Sequence, residues 1–219
     1  GYDVAGYKND GEYEQWDSVL KNAIEYFETN AGLDGTMTGG VAIFAAGNES
    51  YPEATYPGAY NKYVCVSAMA SDYTAAYYTN YGPGTNISAP GGDYAINSTS
   101  STPQRAQILS TLPKELGNGD YGYMQGTSMA CPHVSGVVAL ALSYAKKLGK
   151  TFDKETFKDM IITSANDLDQ NLKGTKVYAD KSTLNLAQFY HKLGTGSIFN
   201  CFSMSCKRSS TLFIPLFIT

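Results

Sequence analysis

Apolar residues fall along this chain in two spacings. Between residues 16 and 27, Trp16, Val19, Leu20, Ala23, Ile24 and Phe27 recur three or four apart. That spacing predicts an amphipathic helix with these side chains on its buried face. A glycine-rich loop over 32–40 follows. Val41-Ala42-Ile43-Phe44-Ala45-Ala46 is then an unbroken apolar run closing on Gly47. It predicts a buried strand over 41–46, of the kind found in parallel sheets. Tyr63-Val64-Cys65-Val66-Ser67-Ala68 predicts a second strand, and shorter extended pieces are expected at 75–79, 86–88 and 107–111. The stretch between Gly91 and Ile108 is rich in Ser and Thr and reads as a surface insertion. Over 128–147, Val134, Val137, Val138, Leu140, Ala141, Leu142 and Tyr144 mark a predominantly apolar helix. A last helix is predicted over 153–165, opening at Asp153 with Thr156 three residues on. Its apolar face is Phe157, Met160, Ile161 and Ile162. Strands alternating with helices point to an α/β fold with a mostly parallel sheet. In that class ligands sit at the carboxyl ends of strands.

Composition narrows the class without fixing it. The 219 residues are 43% hydrophobic, enough for one full core. The net charge is −4 with no basic cluster, which argues against a nucleic-acid partner. Cys65 lies in an apolar strand and Cys131 in the apolar helix, so both read as small buried residues. Cys201 and Cys206 have neither zinc-site nor redox spacing. There are no internal repeats.

The chemistry concentrates at the start of the 128–147 helix. Gly126-Thr127-Ser128-Met129-Ala130-Cys131-Pro132-His133-Val134-Ser135-Gly136 delivers a serine to a helix N-terminus. The N–H groups of a first turn lack intrahelical partners, and the helix dipole favours developing negative charge there. Pro132 loses no helical hydrogen bond at such a place. The run is not the G-x-S-x-G elbow, because Ala130 stands where the second glycine would be. Taken alone, Ser128 could be a simple helix cap.

The whole run resembles the serine motif of the subtilisin-like serine peptidases, the subtilases: Gly126, Thr127, Ser128, Ala130, Pro132 and Gly136 fall at that family's positions. Asn48, directly after the strand ending Ala46-Gly47, matches its oxyanion asparagine. Tyr56-Pro57-Gly58-Ala59-Tyr60 resembles its tyrosine-proline-glycine loop, with Tyr56–Pro57 a candidate cis peptide. Ala76 to Gly82, Ile87-Ser88-Ala89-Pro90-Gly91 and Ile108-Leu109-Ser110-Thr111 resemble the segments leading to the nucleophile. The likeness runs from about residue 40 to about residue 196. It implies a three-layer α/β fold and an endopeptidase in which Ser128 attacks a peptide carbonyl. Asn48 and the Ser128 N–H would hold the oxyanion. In subtilisin itself, loss of the corresponding asparagine donor costs about 100- to 1,000-fold in turnover. The resemblance also implies that Ala46, Gly47, Thr55, Gly58 and Thr127 line the substrate cleft, with Glu49 near its rim. Substrates would be proteins or peptides. No cofactor is required; calcium is allowed by the resemblance, with no site identified.

A serine nucleophile needs a general base and a carboxylate to orient it. The family supplies them from Asp-Ser/Thr-Gly and His-Gly-Thr motifs upstream of the serine, and neither occurs here. The two histidines, His133 and His191, both follow Ser128. Five residues along a helix, His133 points roughly 140° away and lies about 7.5 Å along the axis. It is expected to be structural, and His191 a surface residue. The chain opens on Gly1-Tyr2-Asp3, and no signal peptide is expected within it. It is expected to be the C-terminal part of a catalytic domain, residues 1–198, incomplete at its N-terminus and inactive alone. Gly194 to Ile198 resembles the family's glycine-rich close. Residues 199–219 match no pattern, and 211–219 is too short to span a bilayer, which takes about 20 residues. The family points to an extracellular or cell-envelope enzyme, monomeric when complete. The alternative is a non-catalytic peptide-binding module that keeps the fold.

Overall fold

The computed structural model describes residues 6–32, 35–97, 103–116 and 119–166. His191, Cys201, Cys206, the glycine-rich close and the 199–219 segment lie outside these. The elements in order are α1 (Asp10–Trp16), α2 (Ser18–Asn30), β1 (Met37–Thr38), β2 (Ile43–Ala45), β3 (Val64–Met69), β4 (Ile87–Pro90), β5 (Ile108–Thr111), β6 (Tyr121–Met124), α3 (Thr127–Lys147), β7 (Phe152–Asp153) and α4 (Lys154–Thr163).

The central sheet is parallel, in the order β2-β3-β4, with Phe44 opposite Cys65 and Ala68 opposite Ala89. Side chains alternate across it, as the two-residue period of a strand requires. Val64, Val66 and Ala68 of β3 face one core with Ile87 and Ala89 of β4. Into that core α3 lays Ala130, Val134, Val138, Ala141 and Ala145, spaced three or four apart, and α4 adds Phe157, Met160 and Ile161. On the opposite face Tyr63 and Phe44 join Tyr13, Tyr56 and Tyr60 in an aromatic cluster. Tyr56 donates to Asp10 Oδ1 at 2.7 Å and Tyr60 donates to Glu14, which ties α1 to the loop before β3. The sheet is thus covered on both faces, and the structure is α/β with parallel strands.

Helix α3 is long and apolar enough to cross a membrane by length and composition. Its packing on the sheet explains the same composition as that of a core helix. Asp153 caps α4 by accepting from Thr156 N at 2.9 Å, as the Asp-x-x-Thr spacing predicts.

Four expectations need correction. The predicted 16–27 helix is two, broken at Asp17, and its apolar stripe is not buried. Trp16 is 71% exposed, Val19 84% and Phe27 50%. The run over 41–46 gives only a short strand, and it is half-buried, because β2 is a sheet edge with one neighbour among the described residues. Residues 75–79 form no strand; a single antiparallel bridge, Met69 to Ala75, is all the pairing found there. β6, unpredicted, closes an antiparallel hairpin with β5.

Candidate active site at the head of helix α3

Ser128 is the second residue of α3 and is exposed. The turn that delivers it is fixed from three sides. Gly126, at φ +152°, donates its N–H to Gly91 O at 3.0 Å. Its carbonyl accepts from Met129 N and Ala130 N. Thr127, fully buried, donates both its N–H (2.8 Å) and its hydroxyl (3.0 Å) to Asn48 Oδ1. Two donors meeting one atom identify it as the amide oxygen. The Asn48 amide nitrogen is left as a donor with no partner among the described residues. The Ser128 N–H lies in the first turn, where no intrahelical carbonyl can reach it. The Thr127 hydroxyl also accepts from Gly47 N at 3.3 Å. So one threonine joins the strand end carrying Asn48 to the helix head carrying Ser128.

Asn48 stands at the carboxyl end of β2, where the α/β topology places ligands. The loop around it is packed onto Asn80. Gly47 has φ +106°, and a Cβ there would lie 2.4 Å from Asn80 Nδ2. Only glycine fits both the conformation and the space. Ala46 is fully buried, and its carbonyl accepts from Thr55 N (3.0 Å), Thr55 Oγ1 (3.2 Å) and Asn80 Nδ2 (3.0 Å). Gly58 is buried, and Tyr56–Pro57 is cis. Glu49 is exposed, with Oε2 held by Asn80 Nδ2 at 2.9 Å. Ala46, Gly47, Asn48, Thr55 and Thr127 are therefore one hydrogen-bonded group beside Ser128, with Gly58 packed within 3.1 Å of Cys65 Sγ behind it, measured from the Cβ it lacks.

Behind Gly91 lies a second set of contacts. Tyr78 donates its hydroxyl towards Gly91 O (2.9 Å) and Gly92 O (2.6 Å). Buried Asp93 accepts from Tyr77 N at 2.9 Å and from Ala95 N at 2.9 Å. Gln125 accepts from Tyr94 N and donates to the Tyr77 hydroxyl at 3.1 Å. Sequence reasoning assigned no role to Tyr78, Asn80, Asp93 or Gln125. For Asn80 the available signal was its place before Tyr81-Gly82; only the fold shows what its amide reaches.

A cavity of about 200 Å³ adjoins Ser128, walled by Ile108, Leu109, Met124, Pro132 and His133. His133 shares this cavity with Ser128, yet its Nδ1 is bonded to Met129 O at 2.7 Å. Burial depresses its pKa, partly offset by that bond. No hydrogen bond joins it to Ser128 among the described residues. The Cys65 thiol is buried and that of Cys131 half-buried; burial raises both pKa values, that of Cys131 to about 11. Among the described residues no group of three His, Cys, Asp or Glu could hold a metal ion.

Residues 5–188 match the sequence profile described as the Subtilase family. The chain belongs to that family. Among curated relatives, the extracellular basic protease of Dichelobacter nodosus is 34% identical over 132 residues, 60% of this chain and 20% of that protein. The major intracellular serine protease of Bacillus subtilis is 34% identical over 149 residues, 65% of this chain and 39% of that protein. A solved protease from Pseudoalteromonas arctica superposes with TM-score 0.59 at 29% identity, covering 80% of this chain and 47% of that one. The prenylagaramide maturation protease, at TM-score 0.62 and 22% identity over 88% of this chain and 59% of that one, shares the fold. This subtilase chain thus spans well under half the length of these curated relatives. They include extracellular and intracellular enzymes alike.

Proposed function

We propose that this subtilase chain carries the nucleophile and the oxyanion hole of a serine endopeptidase. Ser128 Oγ attacks the substrate carbonyl. The carbonyl oxygen, as it gains charge, moves between the Ser128 N–H and the Asn48 amide. The observation that supports this reading is the double donation from Thr127 to Asn48 Oδ1, which turns the free end of the amide into a fixed donor. A donor fixed before the reaction stabilises the transition state without reorganising during it. Substrates are proteins or peptides, in extended form at the carboxyl end of β2. The base and its carboxylate come from a part of the full polypeptide other than the described residues, because no described histidine is hydrogen-bonded to Ser128 and His133 Nδ1 meets a backbone carbonyl rather than a carboxylate.

Steady-state kinetics on this chain, and on a longer chain carrying upstream Asp-Ser/Thr-Gly and His-Gly-Thr motifs, test the proposal. The sequence holds neither the Asp-Ser/Thr-Gly nor the His-Gly-Thr motif, so the 219-residue chain is expected to hydrolyse no peptide ester above the level of its Ser128→Ala variant. In the longer chain Asn48→Ala is expected to lower kcat by about 100-fold or more with little change in KM. Ser128→Ala should cost more, and the two losses should not add. Ser128-dependent turnover by this chain would refute the missing base. An inactive longer chain that still bound peptides would favour the non-catalytic module.

A further inference from the structure

We infer that Asn80 is a positioning residue for the oxyanion donor, acting through the loop that presents Asn48; this rests on the oxyanion role proposed for Asn48. Asn80 is fully buried and 32 positions away in sequence, yet its one amide group spends its entire bonding capacity on the residues flanking Asn48. Oδ1 accepts from Glu49 N (3.0 Å) and Tyr51 N (3.0 Å). Nδ2 donates to Ala46 O (3.0 Å) and Glu49 Oε2 (2.9 Å). A carboxamide has two donors and two acceptor lone pairs, and all four are used. The backbone repeats the pattern: Asn80 N donates to Gly47 O at 3.0 Å, and Ser50 N to Tyr78 O at 2.8 Å.

The loop's other holds are backbone bonds, Ser50 N to Tyr78 O and Tyr81 N to Tyr51 O, and the Thr127 contacts to Gly47 N and Asn48 Oδ1. Asn48, Glu49 and Ser50 are exposed, Ser50 sits at φ +59°, and no strand pairing reaches them. Such a segment opens locally unless hydrogen bonds close it. Asn80 closes it on both sides of Asn48, whose oxygen Thr127 then seats. The residue type is specific. Aspartate would offer no donor to Ala46 O and would set a second carboxylate against Glu49. Alanine would leave the Glu49 and Tyr51 N–H groups without acceptors. Asn80 touches no reacting atom, so its effect on chemistry must pass through Asn48.

Two measurements on the full 219-residue chain test this. The first is affinity for a peptide boronate. Ser128 Oγ bonds to boron, its proton passes to solvent, and the resulting anionic four-coordinate boronate places a boron-bound hydroxyl in the oxyanion hole. Asn48→Ala is expected to weaken binding about 10- to 100-fold, the worth of a hydrogen bond to a charged group. Asn80→Ala should weaken it by roughly 10-fold in the wild-type background and by less than about twofold in the Asn48→Ala background. Equal losses in both backgrounds would make Asn80 merely structural and overturn the inference. The second is single-residue hydrogen exchange by mass spectrometry. Asn80→Ala should speed exchange at the Thr127 N–H, whose acceptor among the described residues is Asn48 Oδ1, while β3 amides stay protected. A Thr127 N–H as slow as in wild type would overturn the inference. Asn80→Asp, which keeps both acceptor bonds, carries the same test should the alanine variant not fold; collapse of both variants would also overturn it. If Asn48→Ala does not weaken boronate binding, the oxyanion reading fails; if the wild-type chain, lacking the base, binds no boronate, the exchange result alone decides the clamp.

Discussion

Thr127→Val is the substitution that most directly tests how the site is built. Valine keeps the shape and volume of threonine but replaces the hydroxyl with a methyl group. Thr127 is fully buried, so nothing from solvent replaces what is lost. Two bonds disappear: the one to Asn48 Oδ1 at 3.0 Å and the one from Gly47 N at 3.3 Å. Asn48 Oδ1 keeps the Thr127 N–H, so it stays satisfied. The half-buried Gly47 N–H loses this acceptor; full burial of an unsatisfied donor costs about 1–3 kcal/mol, which sets the upper range here. With an m-value of about 3 kcal/mol/M for a chain of this size, the urea midpoint should fall by roughly 0.3–1 M. Thr127→Ser is the control. It keeps the hydroxyl and deletes one buried methyl, worth about 0.5–1.5 kcal/mol by analogy with Ile→Val. Far-UV circular dichroism is the suitable probe, because the single tryptophan, Trp16, is already 71% exposed in the folded state. Asn48→Ala in the Thr127→Val background should cost less than in wild type, since one of its two anchors is already gone. A Thr127→Val protein as stable as wild type, within about 0.5 kcal/mol, would refute the claim that this hydroxyl joins β2 to α3.

Two other outcomes are expected. Trp16, Val19 and Phe27 are exposed, and β2 is a sheet edge among the described residues, two features that promote association; the chain should self-associate, Val19→Lys should reduce this on size exclusion with light scattering, and a monomeric wild type would contradict it. Alkali should unfold the protein: desolvation raises the folded-state pKa of Tyr13, Tyr56, Tyr60, Tyr63, Tyr78, Cys65 and Cys131. The fold holds these protons where the unfolded chain releases them, so stability is intact below the unfolded values of about 8.5–10 and is lost as pH rises beyond them; thermal midpoints that stay flat from pH 8 to 11 would count against it.

Much of this protein is determined locally and is therefore readable from the chain alone. The period of Val134, Val138 and Ala141 sets α3, because a 3.6-residue turn stacks them on one face. The Asp153–Thr156 pair sets the start of α4, because the cap bond spans only three residues. The Gly126 to Gly136 run and the Ala46-Gly47-Asn48 strand end mark the two halves of the site for the same reason: each is a short element whose chemistry lies in its own residues. What joins the halves is not local. Thr127 meets Asn48 across 79 positions, and Asn80 meets Glu49 across 31. Those meetings depend on β2, β3 and α3 packing in one particular order, which no local pattern encodes. The same reason explains the Trp16–Phe27 stripe. Periodicity reports that a helix has an apolar face; whether another element covers it is decided by tertiary packing, and among the described residues Trp16, Val19 and Phe27 stay exposed.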